Sequence, residues 1–146
     1  MDNNAQTPRA RISLVTLIVH DYDSAIEFFT QKLGFRLSED SPAISTVTGA
    51  AKRWVVVHPP NTVASDTGIL LAQADGEVQK AAVGKQWAGR VGMFMQVDDF
   101  EVQYRNMKGA GVEFLEEPRD EVYGRVIVFQ DICGNKWDLL GPSQSH

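Results

Sequence analysis

Val19-His20-Asp21-Tyr22-Asp23-Ser24-Ala25-Ile26-Glu27-Phe28-Phe29, continuing through Lys32-Leu33-Gly34-Phe35, holds a strand end, a capped helix and its stop. Asp21 suits a helix N-cap, because its carboxylate can accept from amides left open in the first turn. Asp23 and Glu27 place negative charge where the helix dipole favours it. Tyr22, Ala25, Ile26, Phe29 and Leu33 recur at helical spacing and form one apolar stripe. Gly34 fits the left-handed position that ends a helix. Upstream, Ile12 to Val19 is apolar at both parities, as in a strand covered on both faces. Downstream, Phe35 to Glu39 alternates like a half-buried strand.

The same grammar returns about 78 residues later, from Val19 to Val97 and from Asp21 to Asp99. Gly92-Met93-Phe94-Met95-Gln96-Val97 is the second strand, Asp99 the cap, and Phe100, Tyr104 and Met107 the stripe. Gly111 is the stop, and Val112 to Glu116 alternates. Each half adds two further strands: Lys52 to His58 and Gly68 to Ala72, then Gly124 to Gln130 and Lys136 to Leu140. The pattern is βαβββ twice, an α+β chain. One helix covers one face of a four-stranded sheet and leaves the other bare, so two such sheets have reason to curl around a cleft. The expected organisation is a disordered N-terminal segment at 1–10, a first module at 11–74, a linker at 75–90, a second module at 91–141 and a tail at 142–146. Glu77 to Val83 reads as a short linker helix. Thr7-Pro8, Ser41-Pro42 and Pro59-Pro60-Asn61 read as loops.

A net charge of −5 and a pI near 5.1 argue against a nucleic-acid partner. One cysteine, Cys133, excludes an internal disulfide and a thiolate cluster, and three histidines are too few for a histidine-rich metal site. Apolar runs are too short to span a bilayer, so no membrane partner is expected. The opening Met1 to Ala10 has no apolar signal core, which leads to the expectation of a cytoplasmic protein. No phosphate loop, dinucleotide fingerprint or Ser-His-Asp arrangement is present.

Three stretches give the chain a family likeness: the helix phrase Val19 to Phe35 quoted above; Glu117-Pro118-Arg119-Asp120-Glu121-Val122-Tyr123-Gly124-Arg125; and Phe129-Gln130-Asp131-Ile132-Cys133-Gly134-Asn135-Lys136-Trp137-Asp138-Leu139. Together they resemble the vicinal oxygen chelate superfamily of glyoxalases, bleomycin-resistance proteins and extradiol dioxygenases. The resemblance implies two βαβββ modules forming a curved sheet cup, and a homodimer with modules packed within or across chains. It also implies four metal-ligand positions in metal-using members, here Leu14, Gly92, Leu70 or Leu71, and Asp138. Three of these have no donor atom, so the expected metal set is none and the expected cofactor is none.

With Leu14 facing the cup, alternation brings Thr16 and Ile18 there, and Phe94 and Gln96 on the second module. The resemblance adds Val126, Val128, Gln130, Asp138 and Leu140. Trp54, Val56 and His58 share a face of the third strand, but alternation alone does not say which. The ligand-binding set is therefore Thr16, Trp54, His58, Phe94, Gln96, Val128, Gln130 and Asp138, an apolar lining with a few polar anchors suited to a small hydrophobic or aromatic molecule. Asp138 keeps two readings. It either accepts from turn amides or pairs with Lys136 or an arginine, or it sits in the apolar cup with a raised pKa as a catalytic base. Whether the chain is an enzyme stays open. The leading reading is a metal-free binding protein, and the alternative is a lyase, isomerase or dioxygenase-type enzyme using Asp138 as base or sole metal ligand. Trp87 is expected against a partner subunit, Arg119 and Arg125 in pairs with nearby acids, the acidic run Glu113 to Glu121 as a solvated face, and Cys133 without a nucleophilic role.

Overall fold

Leu14–Val19 forms the first strand, β1, and Asp21 caps the helix after it as its sequence predicts. The computed structural model describes residues 6–63 and 65–143; residues 1–5 of the segment expected to be disordered and 144–146 of the tail lie outside the described residues. The Asp21 carboxylate accepts from the Ser24 amide at 2.8 Å and from the Ser24 hydroxyl at 2.7 Å. Helix α1, Tyr22–Glu27, widens into a π-helical turn at Phe28–Lys32. At that point the Thr30 hydroxyl donates to the Ile26 carbonyl at 2.7 Å, a side-chain bond that competes with the backbone ladder. Gly34 then stops the helix with φ +77, a conformation that favours glycine.

Three strands complete the first module: β2 Arg36–Ile44, β3 Ala51–His58 and β4 Gly68–Gln73. The sheet order is β1-β4-β3-β2, with β1 and β4 parallel. Ser41-Pro42, expected in a loop, lies inside β2. The strand tolerates the proline because β2 is the outer strand, where a missing amide leaves no ladder unpaired.

The second module follows the same plan with β5 Val91–Gln96, α3 Phe100–Gly109, β6 Glu113–Phe114, β7 Arg119–Glu121, β8 Gly124–Gln130 and β9 Lys136–Gly141. Asp99 caps α3 by accepting from the Val102 amide at 3.2 Å. The sheet order is β5-β9-β8-β6, with β7 also on β8. The alternating stretch Val112 to Glu116 yields only a two-residue strand, and pairing resumes at β7 after Pro118, which has no amide to donate.

The two sheets share one core, built from the helix-covered face of each. Leu17, Val19, Val57, Ile69 and Leu71 meet Met95, Ile127, Phe129, Trp137 and Leu139 there, with Phe29 and Met107 from the helical segments. Trp137 is the junction. Its ring lies 5.7 Å from Phe29, 6.2 Å from Phe35 and 5.6 Å from Phe129. Its indole N–H donates to Asp131 at 3.0 Å, and the buried Asp131 also accepts from the Cys133 amide at 2.9 Å and the Asn135 amide at 3.0 Å.

The linker carries α2, Gly76–Ala82, one residue ahead of the expected span. Gln86 beyond it binds the free edge of β1: its amide donates to the Thr16 carbonyl at 2.7 Å and its carbonyl accepts from the Ile18 amide at 3.0 Å. Trp87, expected on a partner subunit, packs within the chain over Gly92. Replacing Asp131 by Ala is expected to lower stability by about 3 kcal/mol, because several charge-assisted hydrogen bonds are lost at once. Urea unfolding would measure the loss, and near-UV circular dichroism would report the freed indole.

Candidate functional site

Strand register decides the face that alternation left open. Thr16 pairs with Leu70, and Leu70 with Val56, so Trp54, Val56 and His58 stand on the Thr16 face, away from the shared core. A cavity of about 460 Å³ lies there. Thr16, Ile18, Leu70, Ala72 and Trp54 line it, the β2–β3 hairpin at 43–47 walls one side, and Gln79 of α2 stands at its rim. The volume suits a small organic molecule. Arg53 at the edge is fixed by Asp40 at 2.7 Å and Asp23 at 2.9 Å, with its guanidinium 5.1 Å above the Tyr22 ring. Thr16 and Trp54 are thus brought together, while Trp54 keeps 40% of its surface exposed.

On the second sheet Phe94 pairs with Asp138, and Asp138 with Val128, so the three stand in one row. Their neighbours Trp137 and Leu139 point into the core, which puts the row on the bare face. Phe94 is 63% exposed, whereas Asp138 is only 8% exposed. Asp138 Oδ1 is buried with no hydrogen-bond partner among the described residues. Neither Lys136 nor an arginine pairs with it. Burial pushes the Asp138 carboxyl above the ordinary range; Arg119 draws it down, and Glu116 adds to the rise. The acidic run is only partly a solvated face. Glu116 folds back to accept from the Val128 amide at 3.0 Å and from Arg119 at 3.2 Å. Arg119 also reaches Glu121, and Arg125 bonds Glu101 and Asp120.

The remaining expected residues are dispersed. His58 is buried, with Nδ1 2.7 Å from the Ser38 hydroxyl and Nε2 3.1 Å from the Asp66 carbonyl. A carbonyl only accepts, so Nε2 carries a proton, and both ring nitrogens are engaged, Nδ1 with β2 and Nε2 with the loop before β4. Gln96 lines a groove with Asp98 and Asp99, and Gln130 another with Glu27 and Lys32. Burial pushes the Cys133 thiol up, away from the reactive thiolate.

The sequence model of the Glyoxalase/Bleomycin resistance protein/Dioxygenase superfamily matches residues 11–139. The chain belongs to this superfamily. A protein of Shewanella frigidimarina (strain NCIMB 400) is 42% identical over 126 residues, covering 86% of this chain and 89% of that one. Among solved structures, UcmS2 is 30% identical with a TM-score of 0.74, covering 91% of this chain and 98% of its own. TnmS3, an antibiotic binding protein from Streptomyces sp. CB03234, is 25% identical with a TM-score of 0.71, covering 94% and 99%.

The superfamily's four ligand positions are filled here by groups that do not fit a divalent ion. Leu14 and Leu70 have no donor atom. Gly92 is the extra residue where the register of β5 against β9 shifts, and an added Cβ would run into the Trp87 ring. Asp138 is the one oxygen donor of the set, and a hard cation needs several. Among the described residues no group of three His, Cys, Asp or Glu is placed around a common point.

Glu116, Arg119 and Trp87 belong to the surroundings of the site and were not singled out by sequence as such. Glu116 carries no signal beyond its place in an acidic run, and Trp87 lacks a periodic context. Two measurements follow from this geometry. Gly92→Ala should cost roughly 1–3 kcal/mol by overpacking, and Trp87→Ala in the same chain should remove most of that added cost in a urea double-mutant cycle. Asp138 has a folded pKa above its unfolded one, so the native chain binds the proton more tightly and stability falls as pH rises between the two values. Asp138→Asn should therefore be more stable than the parent at neutral pH by about 1–3 kcal/mol. That gap should close in acid, where the parent carboxyl is protonated; an equal gap at both pH values would count against charge burial.

Proposed function

We propose that this protein is a metal-free binding member of the superfamily, holding a small hydrophobic or aromatic molecule, and that it works in the cytoplasm as a homodimer. The observation that carries the reading is the apolar cavity of about 460 Å³ over Thr16, Leu70 and Trp54, on a sheet face with no core of its own. Binding needs only area and a few polar anchors, whereas chemistry needs an activated group or a metal. The likeness to TnmS3, an antibiotic binding protein, supports the same class of ligand.

The homodimer rests on exposed apolar surface. The two modules meet through their covered faces, so the Trp54 face and the Phe94 face both look outward. Ile44, Val47, Val122 and Tyr123 extend these faces at the tips of two hairpins and are well exposed. Patches of this kind mark interaction surfaces. A second copy that sets its Phe94 face over this chain's Trp54 face closes a cup from both sides, twice per dimer.

A second reading, a lyase or isomerase, is favoured by one observation: the buried Asp138 carboxyl with a raised pKa and an unpartnered oxygen, the properties of a general base. A thermal-shift screen of aromatic, polyketide and glycopeptide compounds tests the main reading. A true ligand at 100 times its Kd adds about 2.7 kcal/mol of stability, and Trp54→Ala should weaken its binding about tenfold, a loss of roughly 1.4 kcal/mol. Substrate turnover that vanishes in Asp138→Asn with affinity retained favours the enzyme. Stoichiometric metal in untagged protein overturns the metal-free reading.

A further inference from the structure

We propose that the end of the ligand received by the second sheet is a protonated amine, held by the Asp138 carboxylate beside the Phe94 ring. The inference rests on the small-molecule-binding reading above and names the ligand chemistry that one half of the cup selects.

Glu101, Glu116, Asp120, Glu121 and Asp138 are grouped around Arg119 and Arg125, five carboxylates to two guanidinium groups. Both arginines are already engaged, Arg119 with Glu116 and Glu121, Arg125 with Glu101 and Asp120. Glu116 is further satisfied by the Val128 amide. Asp138 is the member left over. It is more than nine-tenths buried, it stands on the bare face between Phe94 and Val128, and its Oδ1 has no partner. The terminal torsion of an aspartate is broad and close to two-fold. A turn about it can therefore present the unpartnered oxygen to a ligand arriving over Phe94.

A buried carboxylate lacks two things, a hydrogen-bond donor and a counter-charge. A neutral hydroxyl supplies the first alone. An ammonium group supplies both, and the exposed face of Phe94 adds a cation–π contact to the same charge. A carboxylate or sulfonate ligand would meet like charge at close range and be rejected. In the dimer proposed above, where the Phe94 face of one copy lies over the Trp54 face of the other, the first-sheet cavity of the facing copy, with its apolar floor of Ile18, Leu70, Ala72 and Trp54, would take the hydrophobic body of the same molecule.

A charge series on one ring system reads this directly. 2-Naphthylmethylamine (cationic at neutral pH), 2-naphthylmethanol and 2-naphthoate are titrated against the full chain at pH 7.5 by naphthalene fluorescence. The ammonium compound should bind at least tenfold more tightly than the alcohol, and the naphthoate more weakly than both. Asp138→Asn should erase the preference for the ammonium compound while leaving the alcohol within about twofold. Phe94→Ala should weaken the ammonium compound more than the alcohol. A preference that survives in Asp138→Asn, or an order that favours naphthoate, overturns the inference. Equal binding of all three, abolished by Trp54→Ala, overturns the amine while leaving the binding function standing; no binding of any of them, alongside no hit in the wider screen, defeats both.

Discussion

The indole of Trp137, held edge-on by the Asp131 carboxylate, is the contact through which the two halves of this chain become one body. Its ring touches Phe29 and Phe35 from the first module and Phe129 from the second. Its N–H fixes a turn whose amides converge on the same carboxylate. The residue next to it is Asp138. Alternation along β9 means that whatever anchors the indole inward also aims this carboxyl outward. Core packing and the placement of this carboxyl are thereby coupled through a single peptide unit.

Much of the architecture was legible because it depends on local rules. The two Asp caps, the glycine stops and the apolar stripes each arise within one helical turn or one strand, and the repeat of all of them at one offset identifies the paired modules. What was not legible depends on neighbours. Pro42 sits in a strand because that strand lies at the sheet margin, a fact set by strand order and absent from the local pattern. The π-helical turn after Glu27, where a threonine hydroxyl bonds backward to the Ile26 carbonyl, has no signature in the apolar stripe. The candidate site divides in the same way. Thr16 and Trp54 fall in one cavity and Phe94, Val128 and Asp138 in one row, while His58, with the same parity as Trp54, is drawn into a bond with the Asp66 carbonyl that no periodicity announces. Glu116 approaches the row because β6 runs antiparallel along β8 and carries the chain on to Val128.

The position of Gly92 shows how a family scaffold can be refitted. Read from sequence alone, a glycine there is a gap in a ligand set. The structure fills the space with the Trp87 ring, brought in by the linker, so a returning side chain would meet a wall. The missing side chain and the aromatic buttress are two sides of one arrangement, in which packing against the linker occupies the space above this stretch of β5.

Gln86 carries a wider consequence. By matching one amide and one carbonyl of β1 with its own side chain, it occupies hydrogen-bonding sites that an extended segment from another molecule would otherwise take. A single glutamine thus serves as a substitute neighbouring strand, and it belongs to the very segment that joins the modules. With Gln86 held to β1, residues 87–90 are all that remains of the linker before β5, a short span that limits how far the second module could swing away toward another chain.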